Sequence, residues 1–149
     1  EISIHADFPK VPKGDTLRLE VWATDPVFIS SVSTNLGINQ AMAITCPREG
    51  QMGLKFPVQS VSVTSNQDFD DDHPAGTPLN DLFIQRAMNL LTRANETLPL
   101  VADGFLDAHV TNLLLTSMPT LKRQHIFTLT FEKANGEVIT GRSTEISWE

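Results

Sequence analysis

The chain has one cysteine and no tyrosine among its 149 residues. With Cys46 alone no intramolecular disulfide can form, and the cysteine pair and tyrosine corner of an antibody-type domain are both missing. Charge is sparse as well. Charged residues make up 19% of the sequence, and 11 basic against 18 acidic side chains give a formal charge of −7. The basic residues are scattered, so neither nucleic acid nor an anionic membrane surface is an expected partner. No apolar run approaches the ~20 residues that a membrane-spanning helix needs, and membrane insertion is not expected.

Local signatures of chemistry are equally scarce. The sequence holds no phosphate loop and no Gly-flanked nucleophile turn. His5, His73, His109 and His125 stand far apart without zinc-ligand spacing and read as isolated surface or strand histidines. Cys46 lies beside Pro47 and Arg48, but nothing local supplies a base, so it reads as an incidental thiol. Catalysis and a bound cofactor are therefore not expected, with calcium the one exception treated below.

What the sequence has in quantity is alternation. Ile2, Ile4, Ala6 and Phe8 interleave with Ser3, His5 and Asp7, which predicts a strand with one buried face. Leu17, Leu19, Val21 and Ala23 interleave with Thr16, Arg18, Glu20 and Trp22 and predict a second, ended by Asp25 and Pro26. Val27 to Val32 is β-branched enough for a third short strand. Leu54 to Thr64 predicts another, with Val61 and Val63 setting its buried side. A strand is expected from Asp107 to Thr116, with His125 to Phe131 as its partner. Asn135-Gly136 then separates that last run from Glu137 to Trp148, and the dipeptide predicts a type I′ hairpin because both residues tolerate positive φ.

One helix is expected in this β chain, over residues 78–95. Thr77 is its candidate N-cap and Pro78 fits the first helical position. Leu79, Leu82, Phe83, Ala87, Leu90, Leu91 and Ala94 recur at helical spacing, leaving Ile84 and Met88 outside the stripe. The chain length suits one domain, residues 1–149, burying roughly 68 to 70% of its unfolded surface. The expected fold is mainly β: an antiparallel β-sandwich, immunoglobulin-like, or a barrel, with that amphipathic helix inserted.

Three groups of residues are candidates for function. Asp68, Asp70 and Asp72 have the 1, 3, 5 spacing by which a loop wraps carboxylates around calcium, although His73 and Leu79 occupy the positions where an EF-hand has Gly and Glu. The plainer alternative is a solvated acidic loop ahead of a helix N-terminus. Trp22 and Trp148 are candidates for stacking a glycan or meeting a partner, the alternative being rings that cover a sheet face. Ile84 and Met88 on the helix, and Ile2, Ile4 and Phe8 on the first strand, are candidates for subunit contact, the strand by completing a neighbour's sheet. Asn95-Glu96-Thr97 fits the glycosylation acceptor pattern, which matters only in a secreted eukaryotic protein.

Together these features point to a non-enzymatic structural or assembly subunit of a virion, tail or pilus-like surface structure that self-associates. The alternative is a carbohydrate- or protein-binding module excised from a larger cell-surface protein. A start at Glu1 without methionine fits either a processed secreted protein or an excised domain, so an extracellular, cell-surface or virion location is expected.

Overall fold

The computed structural model describes residues 2–7, 9–23, 56–88, 95–100 and 110–149. Within them the chain is mainly β. Its strands are β1 (Ile2–Ala6), β2 (Lys10–Val11), β3 (Arg18–Ala23), β4 (Val58–Ser65), β5 (Phe83–Met88) and β6 (Asn95–Pro99), followed by β7 (Val110–Leu115), β8 (Gln124–His125), β9 (Phe127–Lys133), β10 (Val138–Arg142) and β11 (Ile146–Trp148). They form a five-stranded sheet ordered β1-β3-β7-β5-β6 and two three-stranded sheets, β10-β9-β4 and β2-β11-β8. None of these sheets closes into a barrel among the described residues. All neighbours are antiparallel except β2 and β11, which run parallel.

Period-two alternation sets the buried faces. Leu17, Leu19 and Val21 of the β3 segment and Phe127, Leu129 and Phe131 of β9 are buried, as are Leu113 and Leu115 of β7. With Val63, Phe69, Leu79, Phe83 and Ile146 they form one apolar cluster. β4 departs from the expected alternation in an informative way. Val58 is buried together with Val61 and Val63, although an uninterrupted strand would turn it to the other face. A register shift between Val58 and Ser60 inserts the extra residue that brings it inward.

The helix expected over residues 78–95 does not form. Asn80–Leu82 make a single 3₁₀ turn, Phe83–Met88 are β5 and Asn95–Pro99 are β6, while 89–94 lie outside the described residues. Phe83 and Gln85 face inward and Ile84 and Arg86 outward, a period of two hidden inside the helical stripe. β5 pairs on both sides, with β6 and with β7. Two ladders outweigh helix propensities that differ by less than about 1 kcal/mol per residue. The expected start signals are used otherwise. The Thr77 hydroxyl donates to the Pro74 carbonyl at 2.7 Å, and Pro78 bridges to Thr64.

Two other expectations need correction. β7 pairs with β3 and β5, and β9 with β4 and β10, so the two segments expected to be partners belong to different sheets. The β9–β10 hairpin closes through Ala134, Asn135 and Gly136 instead of a two-residue type I′ turn. The Gly136 amide donates to the Lys133 carbonyl at 2.8 Å and the Lys133 amide to the Glu137 carbonyl at 2.9 Å. With Gly136 at φ 82°, this is a three-residue loop whose last position needs the left-handed conformation. The run from Val27 to Val32, together with Phe8, Cys46 and His109, lies outside the described residues.

Exposed edges invite unwanted pairing, and β4 is protected by a side chain. Asn80 Nδ2 donates to the Val61 carbonyl at 2.7 Å, and its Oδ1 accepts from the Val63 amide at 3.0 Å. The amide group thus acts as a substitute strand residue. The Leu79 amide to the Val63 carbonyl and the Gly76 amide to the Ser65 carbonyl, both 2.8 Å, continue the cover. Asn80→Ala leaves the Val63 N–H and the Val61 carbonyl without these partners and is expected to cost about 1 to 3 kcal/mol. Urea denaturation checks this, and an unchanged midpoint would refute the edge-sealing role.

Candidate functional site

Among the described residues, a cluster of polar side chains gathers where two loops meet. It is built by residues 65–82 after β4, residues 116–126 around β8, and the approach to β11. The two loops are stitched together at Phe69, whose carbonyl accepts from the Thr120 amide at 2.9 Å and the Leu121 amide at 3.3 Å. The Phe69 ring is fully buried and lies 5.4 Å from the ring of His125.

His125 is the centre of this cluster. It is 0% exposed, caged by Phe69, by Phe127 stacked at 5.9 Å and by Trp148 edge-on at 5.5 Å. Its Nε2 lies 3.0 Å from the Lys122 carbonyl, which can only accept, so the proton sits on Nε2. Nδ1 of the neutral ring must then accept, and the Ser65 hydroxyl donates to it at 2.7 Å. Ser65 Oγ in turn accepts from the Gln67 amide at 3.2 Å. Burial pushes the imidazole pKa down, opposed only in part by the Lys122 bond. A serine hydroxyl aimed at a histidine has the outline of a nucleophile pair. Both groups are buried, however, and the ring's other nitrogen faces a backbone carbonyl instead of a carboxylate. The arrangement holds a neutral histidine in place.

The acidic loop lies beside it. Asp68 Oδ1 accepts from the Ala75 amide at 2.8 Å. Asp70 Oδ1 accepts from the amides of Asp72, at 3.0 Å, and His73, at 2.8 Å, and pairs with His73 Nδ1 at 2.7 Å. His73 Nε2 reaches Asp81 Oδ2 at 3.2 Å, so one imidazole links the loop to the 3₁₀ turn. The bond to Asp70 raises the His73 pKa; desolvation opposes it, and the charges of both aspartates add to it. Desolvation works to raise the Asp70 carboxyl, but the His73 bonds outweigh it and hold it below the ordinary value. The 1, 3, 5 carboxylates thus serve the loop's own donors at Asp68 and Asp70. Among the described residues no three His, Cys, Asp or Glu side chains are grouped to hold a metal ion.

The remaining candidates are dispersed. Trp22 is 43% exposed on the outward face of β3, its Nε1 donating to Glu20 Oε2 at 3.4 Å. Trp148 is 8% exposed and packs edge-on to His125 and Phe127, the arrangement of a ring that covers a sheet face. The parity of β11 decides this, because Ile146 and Trp148 share the inward face. Ile84 is half-buried on the outward face of β5, opposite Leu114, and Met88 ends β5 opposite Asn95. Ile4 is buried and Ile2 partly buried, both against the chain's own core. Asn95, Glu96 and Thr97 lie in β6, not at a helix end.

Sequence reading took His125 for an isolated surface or strand histidine and passed over Ser65 and Phe69. The signal was available for His125, which shares the parity of Phe127, Leu129 and Phe131 and so belongs on the buried face. Ser65 likewise shares the parity of Val61 and Val63 in β4, whereas for Phe69 no local pattern announces burial. Outside the cage, Asn66, Gln67, Lys122, Arg123, Gln124 and Glu145 line an open groove of about 200 Å³. Compared with protein-family models and with curated proteins, the chain gives no match to either.

Proposed function

We propose that this protein is a non-enzymatic structural subunit of a virion, tail or pilus-like surface assembly, with an immunoglobulin-like β-sandwich as its building block and copies of itself as partners. The observation that carries this reading is β1. It is one of the two marginal strands of the five-stranded sheet, paired only with β3 among the described strands. Its Ile4 is buried, with Ile2 and Ala6 packed against the same core. A marginal strand anchored by alternate apolar side chains is the kind of element that neighbouring subunits exchange or donate. Trp22 lies opposite Ser3 on the outward face of the same pair of strands and is 43% exposed there.

Light scattering at rising concentration tests the reading. The full chain is expected to associate, and deletion of residues 1–8 is expected to abolish the association. A strict monomer in both cases would overturn it. A second reading, a glycan- or protein-binding module, is favoured by the polar groove beside Lys122 and Arg123 and by exposed Trp22. Specific glycan binding lost in Trp22→Ala would move the conclusion to that reading.

A further inference from the structure

Two histidines lie on either side of Phe69, and they face opposite chemistry. The Phe69 amide donates to the His73 carbonyl at 3.0 Å, while the Phe69 ring packs on His125. His73 sits between two carboxylates, Asp70 and Asp81, and is partly exposed. His125 is enclosed by three aromatic rings, a serine hydroxyl and a carbonyl. A proton is stabilised at the first site and penalised at the second.

The hydrogen-bond chain at His125 shows why the penalty is structural. Protonation puts a hydrogen on Nδ1, so the Ser65 hydroxyl must turn from donor to acceptor. Ser65 Oγ already accepts from the Gln67 amide, and its own proton would then lose its acceptor, Nδ1, in a residue just 4% exposed. Among the described residues no neighbouring charge compensates. The charged residues on the elements around the ring are Asp68, Asp70, Asp71, Asp72 and His73 on the loop, Lys122 and Arg123 before β8, Glu132 and Lys133 on β9, and Glu145 and Glu149 beside β11. None of them forms a hydrogen bond or ion pair with the imidazole among the described contacts.

The small sheet depends on this cage. β8 supplies His125 and β11 supplies Trp148, and β2 pairs with β11. The Trp148 amide donates to the Arg123 carbonyl at 2.9 Å, next to the Lys122 carbonyl that holds Nε2. Losing the ring's position therefore loosens β8 and β11 together. We propose that the structure contains a directional acid switch, in which mild acid releases the β2-β11-β8 sheet from the His125 cage while the His73 clamp between Asp70 and Asp81 keeps residues 66–82 closed. This inference stands apart from the assembly reading and does not need it.

The linkage signs agree. His125 has a folded pKa below the ordinary 6.5, so its unfolded form binds the proton first and its contribution is lost as pH falls below about 6.5. His73 has a folded pKa above 6.5, so its contribution is complete below that value and is lost only as pH rises through the raised pKa. Acidification weakens one side and leaves the other at full strength.

The test uses the full chain carrying Trp22→Phe, which leaves Trp148 as the single tryptophan. Trp148 fluorescence and amide protection factors are followed from pH 8 to pH 5. Trp148 emission is expected to shift to the red, and its amide protection to fall about tenfold per pH unit once below the ordinary histidine value. The amides of His73 and Ala75, bound to Asp70 and Asp68, are expected to keep their protection. Constant Trp148 protection across this range, or simultaneous loss at both places, would overturn the proposal. His125→Gln is expected to flatten the Trp148 response. Where that variant does not fold, imidazole titration of the parent by NMR serves instead: a His125 that titrates at or above the ordinary value also overturns it.

Discussion

Replacing Phe127 by alanine is expected to destabilise the protein by about 3 to 5 kcal/mol, a large share of the ~5 to 15 kcal/mol that holds an ordinary domain together. The expectation rests on position as much as on volume. Phe127 is buried in β9, and its ring meets Phe83 of β5 at 5.7 Å, His125 of β8 at 5.9 Å and Trp148 of β11 at 6.2 Å. One side chain of the β10-β9-β4 sheet therefore touches residues of both other sheets. Its backbone is pinned as well, the amide donating to Ser143 Oγ at 3.0 Å and the carbonyl accepting from the Ser143 amide at 2.9 Å. Because the surroundings are tied in several directions, they cannot collapse into the space a benzyl group leaves, and the cavity term should lie near the upper end. Urea unfolding of Phe127→Ala and Phe127→Leu measures it. If the alanine variant loses no more stability than a surface substitution, Phe127 is not the joint between the sheets.

The β character of the chain was legible because burial on one face of a strand imposes a period of two, and that period survives in β1, β3 and β9. It failed where two periods coincide. Leu79, Leu82 and Phe83 fit a helical stripe, yet Phe83 and Gln85 are the buried residues of a strand flanked by β6 and β7. Only the distant partners distinguish the two, and a local window does not contain them. The same limit hid the site. Ser65 and His125 are separated by 60 positions and joined by one hydrogen bond. Asn80 reads as a helix-interior residue until the edge of β4 is beside it. The acidic loop was legible as charge, while its use, with Asp70 holding His73, depended on a turn that the spacing alone does not specify.

The approach of β1 to β10 yields the second large effect. Gly141 is buried in β10, and a methyl group placed on it would lie 3.3 Å from Ile4 Cδ1 and 3.4 Å from both Ile4 Cγ1 and Ile2 Cβ. Two effects compete when this glycine is replaced. A β-branched residue favours a strand over glycine by up to about 1 kcal/mol, through backbone entropy and packing. Against that, side-chain atoms beyond Cβ would have to occupy space already held by Ile2 and Ile4, an overpacking cost of about 1 to 3 kcal/mol. If propensity governed, stability would rise from glycine through alanine to valine. Because Ile4 is buried beneath β1 and Ile2 Cβ cannot rotate away, the wedge should prevail: Gly141→Ala close to the parent, Gly141→Val destabilised by about 1 to 3 kcal/mol. The loss should be local, with β1 amides exchanging faster while those of β9 stay protected. A β1 loosened from its own sheet is also more available to a neighbour, so under the assembly reading Gly141→Val should associate at lower concentration than the parent. Full stability together with unchanged β1 protection in Gly141→Val would show that the two strands do not meet at this glycine.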